Sequence, residues 1–361
     1  MTQMRFEDAF IDVTKKYDRV RSREVVERGE YVVIDQSESD IAGYVSGDFN
    51  YADLGPVVIF GDHTRKVKFY DKPFIIGAEG TKVFKTIPEL DESFAYHWLK
   101  SQNIPNLGYS RHSKVLKDLY IDIPSIDEQR RIAGILDAAS AGVAGAEIIL
   151  DRIEQAPVEV FRRLFHNFPS IPLGSVAQLK SGSTPSKDRG ELWDGDFPWF
   201  TAKDFKSSTL AGSLDRIAPP EVSAPRVPAA PAGSVLCVVR GMILAHTFPV
   251  SKILVEGSFN QDVKWLRVDQ REVLADFLLW GLRSKASWVL DRAETSAHGT
   301  KRIPTNVLLE VSIPRASISE QDEFKMIIQK ISEVKERARE VLKRRRELFS
   351  ALQYRAFRGE L

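Results

Sequence analysis

Two stretches of the sequence decide the fold: IPSIDEQRRIAGILDAA at residues 123–139 and IPRASISEQDEFKMIIQKI at residues 313–331. Both open with Ile-Pro and reach a Glu-Gln pair, which makes Gln129 and Gln321 matching points 192 positions apart. The second copy has two extra residues between these landmarks. We therefore interpret the chain as an internal duplication in which each copy introduces the same kind of element.

After each Glu-Gln pair, apolar residues recur at alternating spacings of three and four, which is the period that keeps one stripe of a helix facing a partner helix. In the second copy only Arg345 interrupts the stripe, and the positions 192 residues earlier are apolar or small throughout. The pattern predicts two long helices, each of about 30 to 38 residues, that pack on each other. The expected seam comprises Ile132, Ile135, Ile149, Ile153, Phe324, Ile327, Ile331, Val334, Val341, Leu348 and Leu352. Because Pro157 lacks an N–H, we expect the first helix to end or restart near Gln155.

The segments that precede the helices are rich in β-branched and aromatic residues interrupted by Gly, Pro and Asp, a texture typical of mixed α+β domains with many short strands. The predicted organisation is therefore a first globular domain at residues 1–122 and a first helix at 123–169. A second domain at 170–312 and a second helix at 313–361 follow.

Composition places the chain among ordinary globular proteins. Its 361 residues suffice for about two domains, and 43% are hydrophobic and 28% charged. The single cysteine, Cys237, cannot form an internal disulfide, the N-terminus does not resemble a secretion signal, and no apolar run approaches about 20 residues. We therefore expect a cytoplasmic protein with no membrane segment. The net charge of +1 does not favour a free-standing DNA binder, although grouped charges or a partner can supply phosphate contacts.

The familiar catalytic patterns are missing from the sequence. It has no Gly-Lys-Ser/Thr phosphate loop and no GxGxxG, and its six histidines are scattered singly, which predicts no metal site. Asp262-Val-Lys264 looks locally like part of a nuclease but lacks a convincing acidic partner. The only Pro-Pro pair, Pro219-Pro220, does not supply the motif of an adenine methyltransferase. We predict no catalytic residues in this chain.

What remains is a set of polar and basic loops, whose Arg, Lys, Ser and Thr side chains can contact phosphates or base edges. They include Gly61–Lys66 and Gly108–His112 in the first domain, and Lys180–Lys187 and His298–Arg302 in the second. Any one of these could equally be a solvated turn. The candidate DNA-binding residues are Arg65, Lys66, Arg111, His112, Ser183, Thr184, Lys203, Arg240, Lys301 and Arg302.

Taken together, these segments resemble the DNA specificity subunit of type I restriction-modification systems. IPLGSVAQLKSGSTPSKDRGELWDGDFPWFTAKDF, residues 171–205, is similar to the opening of a target-recognition domain of that family, and IDIPSIDEQRRIAGILD, residues 121–137, to its junction with a spacer helix. GPVVIFGDHTRKVKFYDKPFIIGAEGTKV, residues 55–83, and GYSRHSKVLKDLYIDIP, residues 108–124, resemble a common variety of first recognition domain.

The resemblance implies two mixed α/β target-recognition domains separated by two long antiparallel helices that form a coiled coil. Each domain would read one half of a bipartite site in double-stranded DNA, and the helices would set the gap. It also implies that the chain is not an enzyme and holds no cofactor. Two modification subunits would bind S-adenosylmethionine and methylate adenine, and restriction subunits can join them.

Two other functions stay open at this stage. The chain could be the specificity module of another DNA-modification or phage-defence system. It could also be a coiled-coil adaptor whose globular domains bind proteins, an alternative that the near-neutral charge favours.

Overall fold

The computed structural model describes residues 2–51, 53–77, 79–108, 110–220, 227–296 and 299–361, which fall into two compact units. The first unit consists of Met1–Ile148 with Arg339–Leu361, and the second of Ile149–Ala338. The helices are α1 (Phe6–Ala9), α2 (Glu92–Ser101), α3 (Ser113–Leu116), α4 (Ile126–Phe165), α5 (Ala275–Ser284), α6 (Ala286–Leu290), α7 (Thr305–Glu310) and α8 (Ile318–Ala356).

The strands are short, as the sequence predicts. Those of the first unit are β1 (Thr2–Arg5), β2 (Phe10–Asp12), β3 (Arg19–Val20), β4 (Tyr31–Ile34), β5 (Gly43–Val45), β6 (Val57–Gly61), β7 (Val67–Tyr70), β8 (Ile75–Gly77), β9 (Thr81–Thr86) and β10 (Tyr120–Ile123). Those of the second are β11 (Ser170–Pro172), β12 (Ala177–Ser181), β13 (Phe197–Phe200), β14 (Thr209–Leu210), β15 (Asp215–Ile217), β16 (Ala229–Ala230), β17 (Val235–Val238), β18 (Val250–Ile253), β19 (Gly257–Phe259), β20 (Val263–Val268), β21 (Glu294–Thr295), β22 (Lys301–Arg302) and β23 (Ser312–Pro314).

Two four-stranded sheets, ordered β2-β9-β6-β7 and β3-β8-β4-β5, form the body of the first unit. Strand β6 is buried along its whole length because it is a central strand with apolar neighbours on both faces. Helix α2 begins where the Asp91 carboxylate accepts a hydrogen bond from the N–H of Phe94, at 3.0 Å. It then packs Phe94 and Trp98 into the core beside Phe6 and Phe10.

The second unit repeats this plan with a five-stranded sheet, β12-β20-β17-β18-β14, and a four-stranded sheet, β15-β13-β19-β16. Its central strand β17 is likewise fully buried and contains Cys237, whose pKa burial raises to about 12. The thiol is therefore protonated and has the character of a small core residue.

The two long helices run antiparallel within each unit. In the first unit, Arg131 of α4 donates a hydrogen bond to the carbonyl of Leu361, and Arg346 of α8 pairs with Glu147 at 2.6 Å. In the second unit, Lys335 of α8 lies 3.0 Å from Glu154 of α4. Because increasing residue numbers on α4 pair with decreasing numbers on α8, the two helices run in opposite directions.

The contact stripe of these helices differs by one residue from the predicted seam at three positions. Ile132 and Phe324 are buried as predicted, but Leu136, Ile328 and Leu342 are buried where the prediction gives Ile135, Ile327 and Val341. A strict alternation of three and four residues cannot tell which of two adjacent apolar residues faces the partner. The predicted seam is therefore wrong at four positions, which are 56%, 49%, 46% and 56% exposed: Ile149, Val334, Val341 and Leu348. Ile135, Ile153, Ile327, Ile331 and Leu352 are half-buried.

Arg345 sits in the stripe without disrupting it. Its guanidinium donates a hydrogen bond at 2.5 Å to the backbone carbonyl of Gly142, opposite it in the first unit. A Cβ at Gly142 would lie 3.3 Å from that guanidinium, so the glycine leaves room for the contact.

The predicted interruption at Pro157 is wrong, because α4 continues through it to Phe165. The proline costs the helix one hydrogen bond to the carbonyl of Ile153. Pro157 is itself buried, and the turns after it place Phe161 and Phe165 against Phe277 and Phe324, with ring centroids 5.0–5.7 Å apart. Burial of these rings outweighs the loss of one helical bond.

Gln129 and Gln321 explain why the sequence repeat contains a Glu-Gln pair. Each side chain is buried, with 0% and 1% exposed. The Gln129 amide accepts from the N–H of Asp91 at 2.8 Å and donates to the carbonyls of Glu89 and Pro124, both at 2.9 Å.

Gln321 makes the same three bonds in the second unit. It accepts from the N–H of Leu274 at 2.8 Å and donates to the carbonyls of Glu272 and Ala316 at 2.9 and 3.0 Å. In both units one amide thus joins the start of a long helix to the N-terminus of the domain helix, α2 or α5. A two-stranded ribbon, β1-β10 or β11-β23, lies just before each junction.

Helix α4 is long and apolar enough to cross a bilayer by length and composition, with a window of mean hydropathy 1.5 of which 22% is buried. The sequence-based expectation missed this because small Ala and Gly residues, rather than a continuous aliphatic run, produce the low polarity. Both ends of α4 nevertheless contribute to folded cores: Ile132 and Leu136 in the first unit, and Phe161 and Phe165 in the second. Such a helix is weak evidence for a membrane segment.

Candidate nucleic-acid interface

In the first unit, two of the predicted loops meet at a buried aspartate. The Asp62 carboxylate accepts a hydrogen bond from the N–H of Ser113 at 2.8 Å, and its carbonyl accepts one from the N–H of His112 at 3.0 Å. The guanidinium of Arg111 lies 4.0 Å from the same carboxylate while its side chain stays 70% exposed. The structure therefore places Arg111 beside the loop that contains Arg65 and Lys66.

His112 is the exception among the predicted contacts of this unit. Its ring is fully buried, Nε2 accepts a hydrogen bond from the N–H of Leu107 at 2.9 Å, and Nδ1 donates to the carbonyl of Asp62 at 2.7 Å. Both ring nitrogens are occupied, so His112 cannot contact DNA in this arrangement. The prediction that His112 binds DNA is therefore wrong, and the residue instead holds the two loops together.

Arg65 and Lys66 lie in the turn between β6 and β7. The N–H of Arg65 donates to the carbonyl of Gly61 at 2.7 Å, and the N–H of Gly61 donates to the carbonyl of Lys66 at 2.8 Å, which closes the turn. The Arg65 guanidinium donates to the carbonyl of Ile104 at 3.1 Å, and the Lys66 ammonium pairs with the exposed Glu38 at 2.9 Å. Both cations are accessible from solvent.

In the second unit, three predicted cations come together from distant parts of the sequence. Arg240 faces Arg302 in an isolated antiparallel β-bridge, and the N–H of Gly241 donates to the carbonyl of Lys301 at 3.0 Å. Like charges directly opposite each other destabilise a β-pair. Only one carboxylate, that of Asp262 at 3.8 Å from Arg240, is paired with the group among the described residues. The arrangement favours an anionic ligand.

Ser183 and Thr184 lie beside the same group. The N–H of Ser183 donates to the carbonyl of Phe259 at 2.9 Å, and the hydroxyl of Thr184 lies 2.5 Å from the amide oxygen of Gln261. Gly182 makes this approach possible, because a Cβ there would stand 2.0 Å from the Phe259 carbonyl oxygen. Lys203 lies on a different loop, after β13, where its ammonium pairs with Asp215 at 2.5 Å.

Sequence reasoning missed several residues that the structure adds. Gln261 sits at the tip between β19 and β20, and the polar triplet Asn260–Asp262 between two apolar strands could have indicated it. Lys180 and Arg267 lie over the ring of Trp265, at 5.7 and 5.3 Å from its centroid, and the contact with Lys180 depends on strand pairing. His298 lies outside the described residues.

The described residues do not bring together three or more His, Cys, Asp or Glu side chains that could hold a metal ion. Asp262 pairs with Arg240, and the ammonium of Lys264 donates to the hydroxyl of Ser181, so neither is set up for the nuclease-like role considered from the sequence. Both loop groups present exposed cations to solvent.

Comparison with known proteins agrees with this geometry. The profile of the type I restriction modification DNA specificity domain matches residues 12–155. The specificity subunit of the Escherichia coli type I restriction enzyme EcoR124I/EcoR124II is 26% identical over 341 residues, which cover 88% of this chain and 83% of that subunit. That of E. coli EcoprrI is 29% identical over 177 residues, 45% of this chain and 42% of the relative.

Solved structures show the same fold. The S subunit of a type I restriction-modification system from M. genitalium superposes with a TM-score of 0.54 at 17% identity, covering 99% of this chain and 96% of that one. A chain from a structural study of assembly and conformational transition in the type I R-M system gives 0.60 at 16% identity, covering 100% and 98%. The predicted α+β class with two long antiparallel helices is confirmed.

The duplicated fold and the cationic loops of each unit are features that a DNA specificity protein requires. The chain is similar over most of its length to type I restriction-modification specificity subunits, and its residues 12–155 match their DNA specificity domain. Specificity subunits of these systems are non-catalytic, which agrees with the prediction that the chain itself is not an enzyme.

Proposed function

We propose that each unit reads one half of a bipartite site in double-stranded DNA. The observation that carries this proposal is the duplication itself: the Gln129 and Gln321 junctions are alike bond for bond, and each unit places exposed cations on converging loops. In the first unit the side chains that contact DNA are Arg65, Lys66 and Arg111. In the second they are Ser183, Thr184, Arg240, Lys301 and Arg302, with Lys203 on a separate loop.

The long helices set the distance between the two half-sites. They contain 40 and 39 residues, so each is about 60 Å long at 1.5 Å per residue. A rigid element of fixed length converts protein distance into base-pair spacing, just as dimer geometry sets half-site separation in other DNA-binding proteins. The recognition segments remain 1–122 and 170–312, and the spacer segments 123–169 and 313–361.

Two modification subunits bind the chain, and restriction subunits can join the complex, which works in the cytoplasm. Exposed apolar side chains on the long helices support this assembly, because such residues clustered on a surface mark protein interfaces. The first unit offers Ile148, Val341, Leu348 and Tyr354, and the second offers Ile149, Leu164, Met326 and Val334. S-adenosylmethionine and the methyl-transfer chemistry belong to the modification subunits.

Salt dependence of duplex binding tests the proposal against the adaptor alternative. For the full chain co-purified with its modification subunit, affinity for a duplex should fall steeply between 50 and 200 mM salt, by on the order of 10³-fold for about six phosphate contacts. A complex that binds duplex DNA weakly and without salt dependence would favour the protein-binding adaptor.

A further inference from the structure

Arg65 occupies a backbone conformation that a side chain does not favour. Its φ is 63°, and among the described residues it is the one non-glycine residue in the left-handed region. This position in a short hairpin loop is usually taken by Gly or Asn, because a Cβ crowds the following carbonyl. An arginine at such a position points to a role that offsets the strain.

The Arg65 side chain borders a cavity with two further cations. The cavity has a volume of about 290 Å³, and its lining includes Arg65, Lys66, Lys100 and Asn103. Lys66 is neutralised by Glu38, at 2.9 Å. Arg65 and Lys100 form no ion pair with a carboxylate in the described parts of the chain: Arg65 bonds to the Ile104 carbonyl, and Lys100 to the Tyr96 hydroxyl.

Two cations that form no ion pair, beside an open cavity, suit an anion. The Lys100 ammonium also lies over the rings of Tyr96 and Phe349, at 5.2 and 5.5 Å from their centroids. One N–H of the Arg65 guanidinium donates to the carbonyl of Ile104, and its other N–H groups can donate to a ligand. Lys100 supplies a point charge. Arg111, also exposed, extends the positive surface from the adjoining loop. A row of separated cations matches the spaced charges of a nucleic-acid backbone better than the single charge of a protein carboxylate.

We propose that Arg65 and Lys100 bind a backbone phosphate of DNA in this cavity and so position the first unit on the duplex without reading sequence. This inference rests on the proposed function and gives it a particular contact. It assigns a role to Lys100, which the sequence does not single out, and a reason for the left-handed Arg65.

The test uses the full chain co-purified with its modification subunit and two duplexes, one containing the methylated motif and one of unrelated sequence. Arg65→Ala removes the side chain but keeps the strain, whereas Arg65→Gly removes both. Lys100→Gln removes the second cation. Arg130→Ala, an exposed arginine on α4 of the same unit, is the matched control.

We expect both Arg65 variants to weaken binding of both duplexes about 10-fold, because a charge-assisted contact to phosphate is lost. The slope of log affinity against log salt should become shallower by about 1 for each cation removed. Arg65→Gly should melt about 2–4 °C above Arg65→Ala, since only glycine relieves the strained backbone. Arg130→Ala should leave the affinity, the salt slope and the melting temperature unchanged.

Several results would overturn the inference. Equal binding and equal salt slopes for wild type, Arg65→Ala and Lys100→Gln would remove the phosphate contact while leaving the DNA-binding role intact. Weakening confined to the motif duplex would show base reading instead. Loss of the modification subunit during purification would indicate a protein carboxylate as the ligand. If the wild-type complex binds neither duplex, the proposed function fails together with this contact.

Discussion

The buried glutamine junctions allow the sharpest test of how the long helices are coupled to the recognition units. Replacing Gln321 by methionine keeps the length of the side chain but removes its amide. The N–H of Leu274 and the carbonyls of Glu272 and Ala316 then lose partners at 2.8, 2.9 and 3.0 Å in a site with 1% exposure. Because water cannot easily reach these groups, they stay unpaired.

Three bonds at about 1 kcal/mol each give a loss of about 3 kcal/mol, and more if the N–H keeps its full desolvation penalty. For a unit of this size, 1 kcal/mol corresponds to about 2–4 °C, so the second unit should melt about 6–12 °C lower. Gln129→Met should lower the first unit by a similar amount, because its bonds are 2.8 and 2.9 Å long.

Scanning calorimetry together with amide hydrogen exchange resolves the effect by unit. In Gln321→Met, exchange at the Leu274 amide should accelerate while the Asp91 amide keeps its wild-type protection, and Gln129→Met should show the reverse. Gln329→Met, an exposed glutamine on the same helix α8, serves as the control and should change neither. A shift below about 1 °C for Gln321→Met, or an equal loss of protection at both amides, would refute the assignment of these amides as junctions.

Three further predictions concern the spacer, a buried histidine and a close contact. Inserting one heptad into each long helix lengthens it by about 10 Å, which is about three base-pair steps. Methylation mapping should then show a wider gap between unchanged half-sites. Altered half-sites with a constant gap would contradict the spacer role. His97 lies between Asp137 of α4 and Phe349 of α8, beside Tyr96 on its own helix. Burial lowers its pKa, the bond to Asp137 at 2.7 Å opposes that shift, and the nearby charge of Lys100 adds to it. The unfolded chain therefore binds the proton more readily than the native chain. The free energy of unfolding in urea should be at its full value above about pH 6.5 and should fall as the pH drops towards the lowered native pKa. His97→Gln should flatten this pH dependence, and an unchanged slope in that variant would contradict the prediction. Gly182→Ala should destabilise the second unit by about 2 kcal/mol or more, because its Cβ would meet a backbone oxygen at 2.0 Å, and an unchanged melting temperature would mean that the loop is free to move.

The sequence predicts the long helices well because their cause is local and repeated. Periodic apolar residues and the Glu-Gln landmarks are properties of the chain itself, and Gln129 and Gln321 turned out to occupy equivalent junctions. The choice between neighbouring apolar residues such as Val341 and Leu342 depends on how one helix rotates against the other, which spacing does not determine. Pro157 was misjudged for a related reason, because the packing of Phe161 and Phe165 is tertiary.

The candidate interface was predictable only in part. Basic loops are visible in the sequence, and Arg111, Arg240 and Arg302 are exposed where a ligand can reach them. Whether a polar residue faces solvent or satisfies its own loop depends on contacts across the fold, and His112 bonds to Leu107 and Asp62 in the interior. Lys100 and Trp265 join their sites only through sheet and helix packing.

The most direct test of the central claim is a genome-wide map of adenine methylation in a methylation-free host. The full chain is expressed with its modification subunit and, separately, each protein is expressed alone. We predict one bipartite motif with a fixed gap, present only when both proteins are expressed. A soluble complex that leaves the genome unmethylated, or a motif with a single uninterrupted half-site, would contradict the assignment of one half-site to each unit.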